Sequence, residues 1–137
     1  MRPSSGSRWV LATADALALL AFVLIGIRSH HDAGGWKVFA RNAVPLLVAW
    51  FAASAPLRTY GRPGARSLVA TWAVAVPIGL LARTAWVGSP SGTRLLLFLV
   101  VGLAFTLLFL LLGRALAEPI LRRRVSRPGA ERGSISP

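Results

Sequence analysis

Asp15 is an acidic residue inside a long apolar run, residues 9–27. Away from water its carboxylate must find a cationic or hydrogen-bonding partner, or be protonated, because an unpaired charge is costly there. At helical spacing Asp15 shares a face with Leu19, Phe22 and Gly26, and the glycine predicts close approach of another helix. Two roles stay open for this residue: a proton or cation site, and an ion pair or hydrogen bond that locks two helices together.

Two arginines are candidate partners of Asp15 at similar depth. Arg114 lies at the end of the last apolar run, and Arg58 directly follows the second. A long arginine side chain can reach inward from the end of a helix. Arg114 is also four residues before Glu118, a spacing at which the two side chains can pair on one helix face. An Asp15–Arg114 pair would join the first and last helices of the chain.

A second candidate cluster lies at the opposite ends of the helices. Arg83 is within one turn of the end of the third apolar run, and Arg28, His30 and His31 follow the first. Together they would form a cationic pocket for an anionic headgroup or solute. Alternatively, Arg83 only extends its long side chain to the interface.

Metal and cofactor chemistry is not predicted. His30 and His31 are the two histidines of the chain, whereas a structural metal site normally needs four ligands. The absence of cysteine excludes disulfides, thiol catalysis and thiolate ligands. No phosphate-binding Gly-Lys-Ser/Thr ending and no Gly-x-Ser-x-Gly elbow is present. We therefore do not expect an enzyme; a lipid-modifying enzyme is the weakest of three alternatives.

The elements that position these residues are four apolar stretches. Each is close to the roughly 20 residues that a helix needs to cross a hydrocarbon core about 30 Å thick. Hydrophobic residues make up 55% of the 137-residue chain, and charged residues only 15%, against about 25% in soluble proteins. The fold class predicted is all-α, an integral membrane four-helix bundle, with spans at residues 9–27, 38–57, 67–86 and 95–117.

Glycines and prolines within these stretches indicate how the helices pack. Small residues allow backbones to approach closely, and a central proline kinks a membrane helix where its neighbours can accommodate it. Pro45 is placed near the start of the second span, and Pro119 is expected to end or kink the fourth helix. The candidate helix-packing residues are Gly26, Pro77, Gly79, Gly102 and Gly113.

The net charge of +12 indicates orientation. Eleven arginines lie on the side of the two termini and five basic residues on the other, so the positive-inside rule places both termini in the cytoplasm. The predicted location is a bacterial plasma membrane. Residues 1–8 are then a short cytoplasmic segment, and residues 119–137 are a basic, disordered cytoplasmic tail. Expected partners are the bilayer, anionic lipid headgroups and a second copy of the chain, but not nucleic acid.

A set of these residues also resembles a known pattern. It comprises Asp15, the segment 26–30, Pro45 with Trp50, Gly79 with Arg83, and Arg114. Their arrangement over residues 9–118 resembles an uncharacterised family of four-span prokaryotic membrane proteins, common in actinobacteria and catalogued only as a domain of unknown function. The resemblance implies a four-helix integral membrane protein, and it supplies no activity, cofactor or catalytic residue.

Two functional hypotheses follow. The first is a small non-enzymatic membrane protein with Asp15 and Arg114 as a helix-locking pair, which self-associates or belongs to a larger membrane assembly. The alternative is a small proton-coupled or anion-handling transporter. In that case Asp15 would be the coupling carboxylate, and Arg83, Arg28 and His30 would engage an anion.

Overall fold

The computed structural model describes residues 4–29, 35–88 and 92–125, and these residues form four α-helices and no strand. The helices are α1 (Ser5–Ser29), α2 (Gly35–Ser54), α3 (Ala65–Val87) and α4 (Thr93–Val125). α1, α3 and α4 each contain one of the predicted spans, whereas α2 ends at Ser54, so residues 55–57 of the second predicted span belong to the following connection. The all-α prediction is therefore confirmed.

The helices form a bundle in which each one has two neighbours. α2 packs mainly on α3, and α1 mainly on α4; contacts between α1 and α2 and between α3 and α4 are fewer. Asp15 meets Arg114 and Phe22 meets Phe109 between α1 and α4, and Asn42 meets Arg83 and Leu46 meets Gly79 between α2 and α3, so the residue numbers run in opposite directions along each pair. Both main pairs are therefore antiparallel. We call them the α1–α4 pair and the α2–α3 pair.

Three of the four described helices are long and apolar enough to cross a membrane, over Ser5–Arg28, Ala65–Trp86 and Thr93–Arg123. α2 is not among them. Its first half carries Lys37, Arg41 and Asn42, which lower its hydropathy, and only its second half is continuously apolar apart from Ser54. The protein is thus a helical membrane protein with three helices of spanning character.

The interior is apolar, and so is much of the outer surface. Trp50, Leu19 and Leu46 are among the largest fully buried side chains. Outside, α4 in particular presents large exposed side chains such as Leu108 and Leu116. Lipid tails cover such a surface without cost, whereas soluble monomers rarely expose apolar patches of this extent.

Glycines set the separation of the helices, as predicted for three of them. A Cβ on Gly79 would lie 2.9 Å from the Leu46 Cα, so α2 and α3 touch through their backbones. A Cβ on Gly113 would lie 3.1 Å from the Ala18 Cβ, and one on Gly102 would lie 2.8 Å from the Leu80 Cδ1. These glycines therefore pack within the subunit.

Gly26 does not share this role, and that prediction is wrong. A Cβ added there would have no neighbour within 4 Å. The expected stripe holds for Asp15 and Leu19, which are fully buried, and for Phe22, whose ring meets Phe109 edge to face. Ile27, the next residue, is packed against the core, so it is the position of Gly26 on α1 that leaves its Cβ direction open.

The prolines interrupt the helices less than the sequence suggested. Pro45 is buried in the middle of α2, since the helix begins at Gly35. Pro77 lies inside α3, as predicted. α4 continues through Pro119 to Val125, so residues 119–125 are helical; the expected end of the helix at Pro119 is wrong. Residues 126–137 of the predicted disordered tail lie outside the described residues.

Candidate functional site

Asp15 and Arg114 form a two-point ion pair between α1 and α4. Arg114 Nε donates to Asp15 Oδ1 at 3.0 Å, and a terminal guanidinium nitrogen donates to Oδ2 at 2.8 Å. The Asp15 side chain is fully buried, and that of Arg114 is 13% exposed. The planar guanidinium matches both carboxylate oxygens, which is the strongest form of this interaction. The predicted partnership is confirmed.

A tyrosine from the α2–α3 connection extends this pair. Trp50 Nε1 donates a hydrogen bond of 2.9 Å to the Tyr60 hydroxyl oxygen. Burial raises the pKa of Tyr60 to about 12, and the nearby Asp15 carboxylate adds to the increase. Arg114, Asp15, Tyr60 and Trp50 therefore lie next to one another and form one polar cluster where the connection meets α1 and α4.

The connection that carries Tyr60, residues 55–64, turns Thr59 and Tyr60 inward, while most of its other residues are exposed. Thr59 is fully buried and shares a short hydrogen bond with the hydroxyl of Thr71 on α3. Arg58 adopts a positive φ of 52°, a conformation uncommon for residues other than glycine. This turn lets Arg58 stay outside while Thr59 and Tyr60, the next two residues, enter the bundle.

A further polar contact lies deeper, between α3 and α4. Trp72 Nε1 lies 3.2 Å from the Leu103 carbonyl oxygen and 3.3 Å from the Thr106 hydroxyl. Thr106 itself donates to the Gly102 carbonyl at 2.7 Å. Among the described residues, no buried side-chain nitrogen or oxygen lacks a hydrogen-bond partner. Some of these groups join helices, whereas Ser54 and Thr84 donate to carbonyls of their own helices.

The opposite end of the bundle has a smaller polar contact. Arg83 Nε donates to the side-chain oxygen of Asn42, and its guanidinium carbon lies 4.9 Å from the centre of the Phe98 ring. Asn42 in turn donates to the Val38 carbonyl at 2.6 Å. Arg83 therefore joins α2, α3 and α4, using an amide and an aromatic ring.

Other predicted site residues are not brought into these clusters. Arg28 is exposed at the end of α1, and His30 and His31 lie outside the described residues. Arg58, the second candidate partner of Asp15, is exposed. The expected pairing of Arg114 with Glu118 is wrong: Arg114 turns inward, and Glu118 pairs with Arg122 at the surface.

Sequence reasoning missed Tyr60, Asn42 and Phe98. Tyr60 lies in a polar segment that is typical of a surface turn, although it is the one tyrosine of the chain and follows Trp50 by less than three helical turns. Asn42 could have been found as an uncharged polar residue next to the apolar half of α2. Phe98 has no signal of its own, because it is one aromatic residue in a long apolar run.

Both Asp15 oxygens accept hydrogen bonds from Arg114, so this carboxylate links α1 to α4. In the ranges that the structure covers, no group of three or more histidines or acids could hold a metal ion.

Comparison with known proteins places the chain in a family. No curated protein and no solved structure is found to match it. The model of a family described as "Protein of unknown function (DUF3054)" matches residues 12–117. That match begins three residues before Asp15, ends three residues after Arg114, and includes all four helices in whole or in large part. The protein with this buried ion pair therefore belongs to the DUF3054 family.

Proposed function

We propose that this protein is a non-enzymatic, four-span membrane protein in which the Asp15–Arg114 pair holds the first and last helices together, and that it works by self-association or within a membrane assembly. The observation that supports this is the geometry of the pair. The carboxylate is fully buried, and both of its oxygens accept from one guanidinium. A carboxylate used in this way is already neutralised and cannot easily bind a second cation.

The fourth span in this proposal is α2. Its 20 residues reach about 30 Å as a helix, which matches the hydrocarbon core. Lys37 and Arg41 lie in its first two turns and are exposed, so their long side chains can reach the headgroups. The packing of α2 on α3 along its length supports a position parallel to the other spans.

The distribution of exposed charge supports cytoplasmic termini. The end of the bundle with Asp15 carries six exposed arginines among its described residues, and the other end carries four exposed basic residues. Under the positive-inside rule the arginine-rich end faces the cytoplasm, where anionic headgroups attract it. The two sets are Arg8, Arg58, Arg62, Arg66, Arg122 and Arg123, and Arg28, Lys37, Arg41 and Arg94.

Self-association is supported by the outer face of α4. Gly102 and Gly113 pack inside the subunit, which leaves large apolar side chains on the outside of α4. A second copy or another membrane protein can pack on this face in place of lipid. The mass of the purified protein in detergent, measured by light scattering, distinguishes a dimer from a monomer.

A double-mutant cycle tests the structural role of the pair. Asp15→Asn and Arg114→Gln should each lower the unfolding temperature in detergent, and the double variant should lose no more than the worse single variant. Phe98→Leu at the other end of the bundle is the matched control. Its effect on the unfolding temperature should add to that of Asp15→Asn and to that of Arg114→Gln. If the effects of Asp15→Asn and Arg114→Gln add fully, the two residues do not act as a pair and the proposal fails.

The same variants separate the transporter alternative. A buried carboxylate within a membrane helix is typical of proton-coupled transport. The Arg114 side chain is slightly exposed, which would give protons access to the pair from one side. On that reading, Asp15→Asn in liposomes would abolish pH-gradient-driven uptake of an anion while leaving the unfolding temperature unchanged. We expect the opposite result. Asp15→Asn should have a lower unfolding temperature, and neither the wild-type protein nor the variant should take up the anion.

A further inference from the structure

We propose that Tyr60 is a latch residue, which closes the arginine-rich end of the bundle over Asp15 and controls the access of water to the buried ion pair. This goes beyond the structural role of Asp15–Arg114 and holds for either function of Asp15. It concerns the connection 55–64, whose residues are all described.

The first observation is the depth of the pair. Asp15 is fully buried although Arg114, its partner, remains 13% exposed. The Tyr60 hydroxyl accepts from Trp50 Nε1 and is close enough to Asp15 to be affected by its charge. The side chain of Tyr60 is therefore placed to cover the carboxylate at the end of the bundle where the connection 55–64 lies.

The second observation is the way in which the connection is attached. Thr59 binds Thr71, so this contact stays within the α2–α3 pair. Tyr60 binds Trp50 of the same pair and also faces Asp15 of α1. Tyr60 is therefore the residue of the connection through which the two helix pairs meet at this end.

The third observation is that the side-chain contacts of Tyr60 are separate from the hydrogen bonds that hold the backbone of the connection. The backbone of the connection is closed on itself by hydrogen bonds from the amides of Gly61 and Arg62 to the Arg58 carbonyl, both 2.9 Å long. Withdrawal of the Tyr60 side chain requires no change in these bonds. A segment of this kind can open without unfolding of the helices.

The latch is tested with a cysteine reporter, since the chain has no cysteine of its own. Ser54→Cys places a thiol close to Tyr60 at a site that is 4% exposed, and Thr84→Cys places one at the opposite end at a site that is 7% exposed. Each reporter is combined with Tyr60→Ala and with Tyr60→Phe, and the rate of labelling by a membrane-impermeant methanethiosulfonate is measured in detergent.

We expect Tyr60→Ala to increase labelling at position 54 by about tenfold or more, and Tyr60→Phe to increase it less because the ring remains. Labelling at position 84 should change less than about twofold in both. An unchanged rate at position 54 overturns the proposal. An equal increase at positions 54 and 84 also overturns it, because Tyr60 would then support the whole fold and not one entrance. The labelling result does not depend on the double-mutant cycle. If the effects of Asp15→Asn and Arg114→Gln added fully, the expected labelling rates would be the same.

Discussion

The α1–α4 pair and the α2–α3 pair share one means of contact and differ in another: a glycine brings the helices close in both, at Gly113 and at Gly79, and the α1–α4 pair adds a buried ion pair. α1 and α4 are joined by an ion pair between residues 99 positions apart. α2 and α3 are consecutive, linked by the connection 55–64, and touch where Gly79 meets Leu46. Their polar contacts, Thr59 with Thr71 and Arg83 with Asn42, each supplement a packing contact that is already present.

This difference follows from the order of the helices in the chain. A short connection keeps α2 and α3 near one another at little entropic cost, so small residues suffice to bring them into contact. α1 and α4 lie at opposite ends of the bundle's sequence. In lipid no hydrophobic driving force brings them together, and a directional polar contact supplies the specificity that the connection supplies elsewhere.

The largest expected effect is on the α1–α4 pair. Arg114→Gln leaves a fully buried carboxylate without its cation and should lower the free energy of unfolding by about 3 kcal/mol. Asp15→Asn should cost less, because Arg114 is partly exposed and can turn towards water. The measurement is thermal or denaturant unfolding in detergent. A smaller loss for Arg114→Gln than for Asp15→Asn would contradict this account of the pair.

A second change tests the α2–α3 pair. In Gly79→Ala the added methyl lies 2.9 Å from the Leu46 Cα and 3.3 Å from the Pro45 carbonyl, both backbone atoms, so the helices must separate. We expect a loss of about 1–3 kcal/mol by unfolding in detergent.

Gly26→Ala is the matched control, since it makes the same change on α1 where no atom lies within 4 Å. It should be neutral, or stabilising by up to about 1 kcal/mol through helix propensity. Equal effects of the two substitutions would show that backbone contact is not what holds α2 to α3.

The smallest expected effect concerns Tyr60, where the two pairs meet. Its pKa is raised to about 12 by burial and by Asp15, so the folded state retains the phenolic proton more strongly than the unfolded state. This contribution to stability is complete below the unfolded pKa of about 10 and is lost as the pH rises through about 12. Tyr60→Phe should make the alkaline decline in stability shallower.

The titration can be read directly, because the chain has one tyrosine. Tyrosinate absorbance of the folded protein should show a midpoint near pH 12. A midpoint near pH 10, as in the denatured protein, would show that the hydroxyl is not enclosed beside Asp15.

The sequence predicted those parts of the fold that depend on composition and on single residues. Four long apolar runs predicted four helices, and a carboxylate in such a run needed a cation at matching depth, which identified Arg114. Gly79, Gly102 and Gly113 were predicted as packing residues because small residues inside membrane helices commonly have that role.

The sequence did not predict the features that depend on the crossing angles of the helices and on the path of the connections between them. Gly26 shares the face of Asp15, but whether another helix passes it depends on the crossing angle, which periodicity does not give. Tyr60 lies in a polar segment, and its inward orientation depends on the positive φ of Arg58. The continuation of α4 through Pro119 likewise depends on its surroundings, since local preference alone favours an end there.

The length of α4 has a mechanical consequence. Its 33 residues extend about 50 Å, well beyond the roughly 30 Å of a hydrocarbon core. A helix of this length could shift along the bilayer normal. A shift of one turn, about 5.4 Å, would pull the guanidinium of Arg114 away from Asp15. The ion pair therefore fixes the vertical register of α4. The last part of the helix, from Ala115 to Val125, which carries the exposed Arg122 and Arg123, is thereby held at a constant height relative to α1.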